Sequence, residues 1–177
     1  MKNTLHPLSQ FRFCPKCGSH HFVENNFKSK KCEDCGFVYY FNSCSSTIAL
    51  IINDKDELLV ATRAHEPAMG TLDLPGGFVD MYETGEEAVT REVKEETNLN
   101  ILDLRYWFSI PNTYVYSGFE VHTLDLVYLC KVSDKEQLKA DDDVEKLEFI
   151  KISELDPERF GLHSVKEVIK KIKNTTI

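Results

Sequence analysis

The chain has 177 residues, 42% of them hydrophobic, which is typical of a soluble globular protein with one ordinary domain and a small appendage. Its 21 basic and 29 acidic residues give a net charge of −8, which argues against broad nucleic-acid binding through a basic surface but not against binding a phosphate compound through metal ions. No apolar run reaches the ~18 residues that span a membrane, and residues 1–7 lack a signal-peptide core, so we expect a cytoplasmic protein.

Four of the six cysteines stand in two Cys-x-x-Cys knuckles. Because the chain shows no secretion signal, disulfide bonds explain them poorly. A glycine follows each knuckle and allows the tight turn that directs two thiolates at one ion. Four thiolates in this spacing suit tetrahedral Zn²⁺, and a closed set of four indicates a structural metal. The predicted zinc ligands are Cys14, Cys17, Cys32 and Cys35.

Residues 1–42 are predicted to form a small module with a loose N-terminal arm, and residues 43–177 a larger domain. A module of about thirty residues buries too little surface to fold alone, and the metal supplies the missing stability. This module resembles a zinc ribbon. The aromatic run Phe37–Phe41 is expected to end it as a strand, and the small residues Ser43–Ser46 are expected to form a linker.

Two strands and a tight turn are predicted next. Thr47–Ile52 has the composition of a buried strand, and Glu57–Arg63 forms a second strand after the turn Asn53–Asp56, which predicts a hairpin. Further on, Pro75 and two glycines fix a turn in which the backbone can approach a ligand closely.

A helix with clear end signals follows this turn. Thr84 and Glu87 form a capping box, so the helix should begin at Gly85. Asn98 tolerates the left-handed backbone that suits the position after a helix end. The 3.6-residue period places three apolar side chains on the face that packs against a core: Ala88, Val89 and Val93.

Three acids share another face of the same helix. Glu92, Glu95 and Glu96 have the i, i+3, i+4 spacing that brings carboxylates together, where they repel by roughly a few tenths of a kcal/mol per pair. Mg²⁺ would reverse the sign of this effect, because it binds carboxylate oxygens together with phosphate oxygens. A solvated acidic face is the alternative, but the Gly-Gly turn, Glu83 and Arg91 beside these acids favour a metal site.

The C-terminal half is predicted to alternate strands with turns and to close with an amphipathic helix. Pro111 and Asn112 are expected to end the first of these strands. Cys44 and Cys130, both in predicted strands, are expected to be small buried hydrophobes. The predicted elements are strands at Ile101–Ile110, Phe119–Val132 and Leu147–Ile152 and a helix at His163–Ile172.

The stretch from Gly77 to Leu99 resembles the Nudix box of the Nudix hydrolases. That motif is Gly, five residues, Glu, seven residues, then Arg-Glu-apolar-any-Glu-Glu-any-Gly-apolar. Asn98 stands where the family has Gly, and because this position is a helix end, Asn can substitute there. The matching residues are Gly77, Glu83, Arg91, Glu92, Val93, Glu95, Glu96 and Leu99.

The resemblance implies an α/β fold, namely the Nudix α/β/α sandwich with a mixed sheet, and hydrolysis of a diphosphate bond with Mg²⁺ or Mn²⁺. It implies that Glu92, Glu95 and Glu96 bind the metal and that Glu95 or Glu96 also serves as the base. It further implies that the backbone carbonyl of Gly76 is a metal ligand and that Arg91 orients a glutamate. Nudix enzymes often add a later acid, for which the candidates are Asp142, Asp143, Glu148 and, preferred, Glu145.

A zinc ribbon before a Nudix domain is similar to the arrangement in the NADH pyrophosphatases, which split dinucleotides and can remove NAD caps from RNA. Those enzymes carry Ser-Gln-Pro-Trp and a later Ser after the box. Ser109, Pro111 and Ser117 match, but Gln and Trp are missing, so NADH, ADP-ribose and nucleotide sugars all stay open as substrates. Ser109 is a candidate substrate contact, and Tyr114 or Tyr116 could stack on a base or could be ordinary strand aromatics.

The sequence therefore predicts a pyrophosphohydrolase acting on a nucleoside diphosphate derivative, with NAD-capped RNA as a further candidate partner and no membrane. The alternative is a binding protein in which a zinc ribbon contacts nucleic acid or a partner and a Nudix-like domain senses a ligand. The complete set of acids favours the enzyme, because sensors tend to lose catalytic glutamates. A homodimer is expected from the resemblance alone.

Overall fold

Three short antiparallel strands build the N-terminal part of the chain. The structure, a computed structural model, describes residues 5–133, 138–140 and 144–175. It divides into two compact units, Met1–Ser43 and Cys44–Ile177. The first unit has a small apolar cluster in which two of the knuckle cysteines pack with Phe22. Its strands, in the order β1-β2-β3, are β1 (Phe22–Asn26), β2 (Ser29–Cys32) and β3 (Val38–Tyr40).

In its described residues, the second unit contains two three-stranded sheets, two α-helices and two 3-10 turns, at Ile152–Glu154 and Pro157–Arg159. None of the helices in the described residues is long and apolar enough to cross a membrane. The elements are β4 (Cys44–Ile51), β5 (Glu57–Arg63), β6 (Leu72–Asp73), α1 (Gly85–Thr97), β7 (Ile101–Tyr116), β8 (Phe119–Val132), β9 (Val144–Lys151) and α2 (His163–Lys173).

The second unit has a helix on each side of the strand β4, which pairs with β8. β4 and β8 are parallel, β7 joins β8 antiparallel, and the second sheet has the antiparallel order β6-β5-β9. Alternate residues of β4 enter different apolar clusters: Ile48 packs with α2, whereas Ala49 packs with α1. A strand buried on both faces needs a layer on each side. The predicted α/β fold with a mixed sheet and two helices is confirmed.

The caps of α1 are those that the sequence predicts. The Glu87 amide donates to Thr84 Oγ1 at 3.2 Å, and the Thr84 amide donates to Glu87 Oε2 at 2.8 Å. Asn98 takes the left-handed conformation with φ 60°, and its amide donates to the Lys94 carbonyl. Helix α1 therefore begins at Gly85 as expected, and its three predicted apolar residues are fully buried.

The predicted hairpin of the first two strands is wrong. β4 pairs with β8 and β5 pairs with β6 and β9, so these strands lie in different sheets and share only the bridge between Ile52 and Leu58. The predicted linker Ser43–Ser46 is also mostly strand, because β4 begins at Cys44. Cys130 is buried as predicted, but Cys44 is exposed, because it stands at the first position of β4, before the apolar part of the strand begins.

The predicted break at Pro111 is also wrong. β7 runs without interruption from Ile101 to Tyr116, with Pro111 paired to Leu124. β7 is an outer strand in the order β4-β8-β7. A proline is tolerated on an edge strand because its missing N–H can face away from the ladder.

Candidate functional site

A cavity of about 350 Å³ in the second unit collects the three predicted acids of α1. Gly76, Gly77 and Arg91 also line it. Six carboxylates and three cationic or titratable basic groups line the cavity, which therefore suits a charged ligand with bound cations better than an apolar one. The acids are Asp73, Asp80, Glu92, Glu95, Glu96 and Asp125, and the basic groups are Arg63, His65 and Arg91.

The turn before α1 is held against β4 by its backbone. The Ala49 amide donates to the Pro75 carbonyl and the Thr47 amide donates to the Gly77 carbonyl, both at 2.8 Å. Gly76 has φ 144°, and a Cβ atom there would overlap the Thr47 carbonyl. Only glycine combines this backbone conformation with this close approach.

The same turn touches two of the acids. The Gly76 amide donates to Glu96 Oε2 at 2.9 Å. A Cβ atom on Gly77 would lie 2.6 Å from Glu92 Oε1, so any larger residue there would displace this carboxylate. No described residue donates a hydrogen bond to the Gly76 carbonyl, which leaves this oxygen able to bind a cation.

Arg91 connects the turn to the helix acids. Its Nε and Nη2 atoms donate to the two oxygens of Glu83 at 2.8 and 2.9 Å, a bidentate ion pair. Its Nη1 atom donates to Glu92 at 2.8 Å and to Glu95 at 3.0 Å, and Nη2 also donates to the Phe78 carbonyl. Hydrogen bonds from Arg91 are the largest cause that lowers the pKa of Glu83, to about 2. Arg91 thus fixes one acid outside the cavity and orients two inside it.

The ion pair between Arg91 and Glu83 should stabilise the fold at neutral pH and lose this effect in acid. A carboxyl group whose pKa falls on folding stabilises the fold above its unfolded pKa and loses that contribution as pH drops toward the folded value. For Glu83 the window runs from about 4.5 down to about 2. Urea unfolding measures the free energy of unfolding of the native chain and of the Glu83→Gln variant. The difference between these two free energies should become smaller as the pH is lowered from 6 to 3. The exposed Glu145→Gln variant is the control, and a Glu83→Gln difference that stays constant over this range would contradict the assignment.

The three acids of α1 line one cavity without converging on one point. Among the described residues, only the four knuckle cysteines form a group of three or more His, Cys, Asp or Glu residues whose ligand atoms all lie within 4.8 Å of one another. Arg91 holds Glu92 and Glu95, and the Gly76 amide holds Glu96. Carboxylate and carbonyl oxygens are nevertheless the donors that Mg²⁺ and Mn²⁺ prefer. The residues fit such a cation in their chemistry, while Arg91 contacts one oxygen of Glu92 and one oxygen of Glu95.

The knuckle cysteines of the first unit form a closed thiolate set. The Sγ atoms of Cys14 and Cys35 are 3.7 Å apart, as are those of Cys17 and Cys32. Tetrahedral Zn²⁺ with bonds of about 2.3 Å places its sulfurs about 3.8 Å apart. The four cysteines therefore fit a structural zinc ion in number, type and spacing.

Of the three predicted substrate residues, one lines the cavity and two do not. Tyr114 is half-buried and lines it. Ser109 and Tyr116 are exposed and do not line it. Ser109 has the opposite strand parity to Tyr114, and Tyr116 lies at the end of β7, next to the turn that leads into β8.

The structure does not bring the preferred late acid to the cavity. Glu145 is exposed, whereas its neighbour Val144 lines the cavity, as alternation along β9 requires. Glu148 pairs with Lys146 at 2.9 Å and is also absent from the lining. The other two candidates, Asp142 and Asp143, lie outside the described residues.

Two buried acids of the cavity were not among the predicted site residues. Asp73 on β6 pairs with Arg63, although burial outweighs this pairing and raises the pKa of Asp73. Asp125 on β8 accepts hydrogen bonds from Ser46 and Thr123. Each of these acids stands between two leucines, and a lone carboxylate inside an apolar strand is the signal that could have found them.

Comparison with known proteins gives a consistent group of relatives. A family model described as the NUDIX domain matches residues 43–171. The NAD-capped RNA hydrolase NudC of Vibrio atlanticus is 35% identical over 106 residues, which cover 60% of this chain and 39% of that protein. The matched region thus spans about two fifths of the length of this curated relative.

Two solved structures share the fold. A NUDIX hydrolase from Nitrosomonas europaea superposes with a TM-score of 0.71 at 17% identity, covering 92% of this chain and 90% of that one. A bifunctional NMN adenylyltransferase/ADP ribose pyrophosphatase from Francisella tularensis, complexed with AMP and a Mn ion, has a TM-score of 0.59 at 22% identity and covers 76% of this chain and 42% of that one.

Proposed function

The chain belongs to the Nudix family, whose domain model matches residues 43–171, and on this premise we propose that it hydrolyses the diphosphate linkage of a nucleoside diphosphate derivative with the help of Mg²⁺ or Mn²⁺. The observation that carries the proposal is the single cavity in which the glycine turn, Arg91 and the three glutamates of α1 meet. This combination serves both to hold divalent cations and to receive an anionic substrate.

Glu92, Glu95, Glu96 and the Gly76 carbonyl would hold the cations. When bound, such ions neutralise the charge of a diphosphate and lower the pKa of a coordinated water. Arg91 and the Gly76 amide keep these carboxylates at the cavity through hydrogen bonds.

The side chains of the chain itself supply the proton acceptor and the orientation of the acids. Glu95 or Glu96 accepts the proton of the attacking water, since both carboxylates line the cavity. Glu95 is half-exposed, whereas Glu96 is 9% exposed and hydrogen-bonded to Gly76. Arg91 orients Glu92 and Glu95 by donating to both, while its bidentate bond to Glu83 keeps the guanidinium in place.

The cavity and the similar proteins support the choice of substrate class. Tyr114 offers a ring for stacking on a base, and Arg63 adds a cation at the same cavity. A curated relative is named for NAD-capped RNA, and a solved structure with the same fold is named for ADP ribose. We therefore propose NAD(H), another dinucleotide, ADP-ribose or a nucleotide sugar as substrate, and NAD-capped RNA as a further one. Because the Gln and Trp of the NADH pyrophosphatase motif are missing, no preference for NADH is assigned.

A substrate panel tests this function. Full-length protein with Mg²⁺ or Mn²⁺ is incubated with NADH, ADP-ribose, a nucleotide sugar and an NAD-capped RNA, and products are separated by chromatography. The expected products are nucleoside monophosphates, which appear only when a divalent ion is present. Tight binding of these compounds without turnover would instead support the alternative, a ligand-sensing protein built on the same fold.

We also propose that residues 1–42 form a zinc ribbon and residues 43–177 the Nudix domain. The spacing of the four thiolates supports the first assignment, and the extent of the family match supports the second. The homodimer and the cytoplasmic location stay predictions from the sequence.

A further inference from the structure

One wall of the cavity carries a buried carboxylate that the proposed reaction does not use. Asp125 on β8 lines the cavity but is only 4% exposed. Its Oδ1 atom accepts hydrogen bonds from the hydroxyl groups of Ser46 and Thr123. Asp73, another buried acid of the cavity that the proposed reaction does not use, has Arg63 as its partner. No ion pair joins Asp125 to a cation in the described part of the chain, so its charge is held by hydroxyl groups alone.

Such a carboxylate has an open acceptor. A buried charge is expensive unless it is paired or hydrogen-bonded. The two hydroxyl groups satisfy Oδ1, and no described residue donates a hydrogen bond to Oδ2. A donor that enters the cavity would therefore complete the hydrogen bonding of Asp125.

The surrounding wall is polar on the face that meets the cavity. Along β4 and β8 the paired residues Ile48 and Val127 pack in the apolar core, and two positions away the paired residues Ser46 and Asp125 line the cavity. A second acceptor lies nearby, because Asn112 pairs with Thr123 across β7 and β8.

Asn112 does not itself line the cavity. Its side chain is buried, and its Oδ1 atom has no hydrogen-bond partner among the described residues. Alternation along β7 places Asn112 on the same face as Tyr114, which lines the cavity. Among the residues that line the cavity, Asp125 therefore supplies the open carboxylate acceptor of this wall.

The position of Asp125 suits the nucleoside rather than the diphosphate. Asp125 pairs with Ser46, and Ser46 forms a bridge with Phe78, the residue after the glycine turn. Two strand spacings of about 4.8 Å separate the backbone of Asp125 from that of Phe78 by roughly 10 Å. This separation is comparable to that between a diphosphate and its sugar or base. A carboxylate at this end also repels phosphate groups, whereas the proposed cations at α1 would attract them.

We propose that Asp125 is a specificity-determining residue whose Oδ2 atom accepts a hydrogen bond from the nucleoside of the substrate. The donor is a ribose hydroxyl group or the amino group of the base, two groups with the same hydrogen-bonding chemistry. This inference rests on the proposed function, which places the diphosphate at α1. Because a carboxylate can only accept, it selects ligands that donate at this point.

The test measures binding without turnover. Titration calorimetry with AMP compares the native chain with the Asp125→Asn variant, which keeps the shape of the side chain and an acceptor for the two hydroxyl groups. Two further probes each lack one donor: 2′,3′-dideoxy-AMP lacks the ribose hydroxyl groups, and purine riboside 5′-monophosphate lacks the amino group. The control is Asp103→Asn, an exposed aspartate of β7.

We expect Asp125→Asn to weaken AMP binding by about 10- to 100-fold, as for the loss of one hydrogen bond to a charged group. The probe that lacks the recognised donor should bind the native chain and the variant equally, which identifies the donor. Native-like AMP binding by the variant, an equal loss for all three probes, or no AMP binding by the native chain would each overturn the proposal. Hydrolysis can fail while this binding difference persists, so failures of the two proposals are distinguishable.

Discussion

Changing Glu95 or Glu96 to glutamine is expected to lower kcat by about 10²- to 10⁴-fold, the usual contribution of a positioned proton acceptor. Glutamine keeps the size of glutamate but cannot take a proton and is a weaker ligand for a divalent cation. Both residues line the cavity, so each change removes charge where the substrate and the ions meet. The measurement is steady-state turnover of the best substrate of the panel with Mg²⁺, alongside thermal unfolding to show that the variants fold.

A third variant serves as the control. It tests whether the fall in kcat requires loss of an acid inside the cavity or follows from loss of an acid anywhere on the domain. Glu145→Gln makes the same chemical change at an exposed residue of β9 outside the cavity lining, and kcat should stay within about twofold of the native value. The same experiment tests the late-ligand prediction, because a large loss in Glu145→Gln would return this residue to the site. Native turnover in both Glu95→Gln and Glu96→Gln would contradict the proposed roles of these two acids.

Removing the zinc ion is expected to unfold the first unit. Its apolar cluster consists mainly of Cys14, Phe22 and Cys32, so little besides the metal can stabilise its three strands. Structural zinc in small domains contributes about 10–16 kcal/mol of apparent binding free energy. We expect about one zinc ion per chain by elemental analysis. The Cys32→Ser variant should lose both the zinc and the hydrogen-exchange protection of residues 22–40.

Cys44 provides a matched control for that change. It is exposed and lies outside the group of four, so Cys44→Ser should retain the zinc and the protection. Protection within β4, β5 and β8 should persist in Cys32→Ser, since the apolar clusters of the second unit contain none of the knuckle cysteines. Zinc-free protein purified under reducing conditions with a protected first unit would rule out the structural-zinc assignment.

The local features were predictable because they depend on neighbours in the chain. The capping box of Thr84 and Glu87, the left-handed Asn98 and the two faces of α1 follow from helix geometry alone. The two cysteine knuckles behave similarly, since each brings two thiolates together within four residues. A motif of fixed spacing, such as the one from Gly77 to Leu99, therefore indicated both the helix and its acidic face.

Pairing between distant segments was not predictable in the same way. The composition of β4 indicates a buried strand, but a hairpin partner and a distant partner bury the same side chains, and β8 is the actual neighbour. The chain pattern also suggested a break at Pro111, whereas the position of β7 at a sheet edge makes the proline acceptable. Sheet order decides both questions, and it depends on contacts far apart in sequence.

The site shows the same division. By itself, the sequence determined the Nudix box, the acids of α1, the glycine turn and the four thiolates, because these depend on residue type and short spacing. Only the tertiary structure decided that Tyr114 lines the cavity, that Ser109, Tyr116 and Glu145 do not, and that Asp73 and Asp125 do. The physical reason is that a cavity wall is made by strands brought side by side, where one step along a strand turns a side chain to the opposite face.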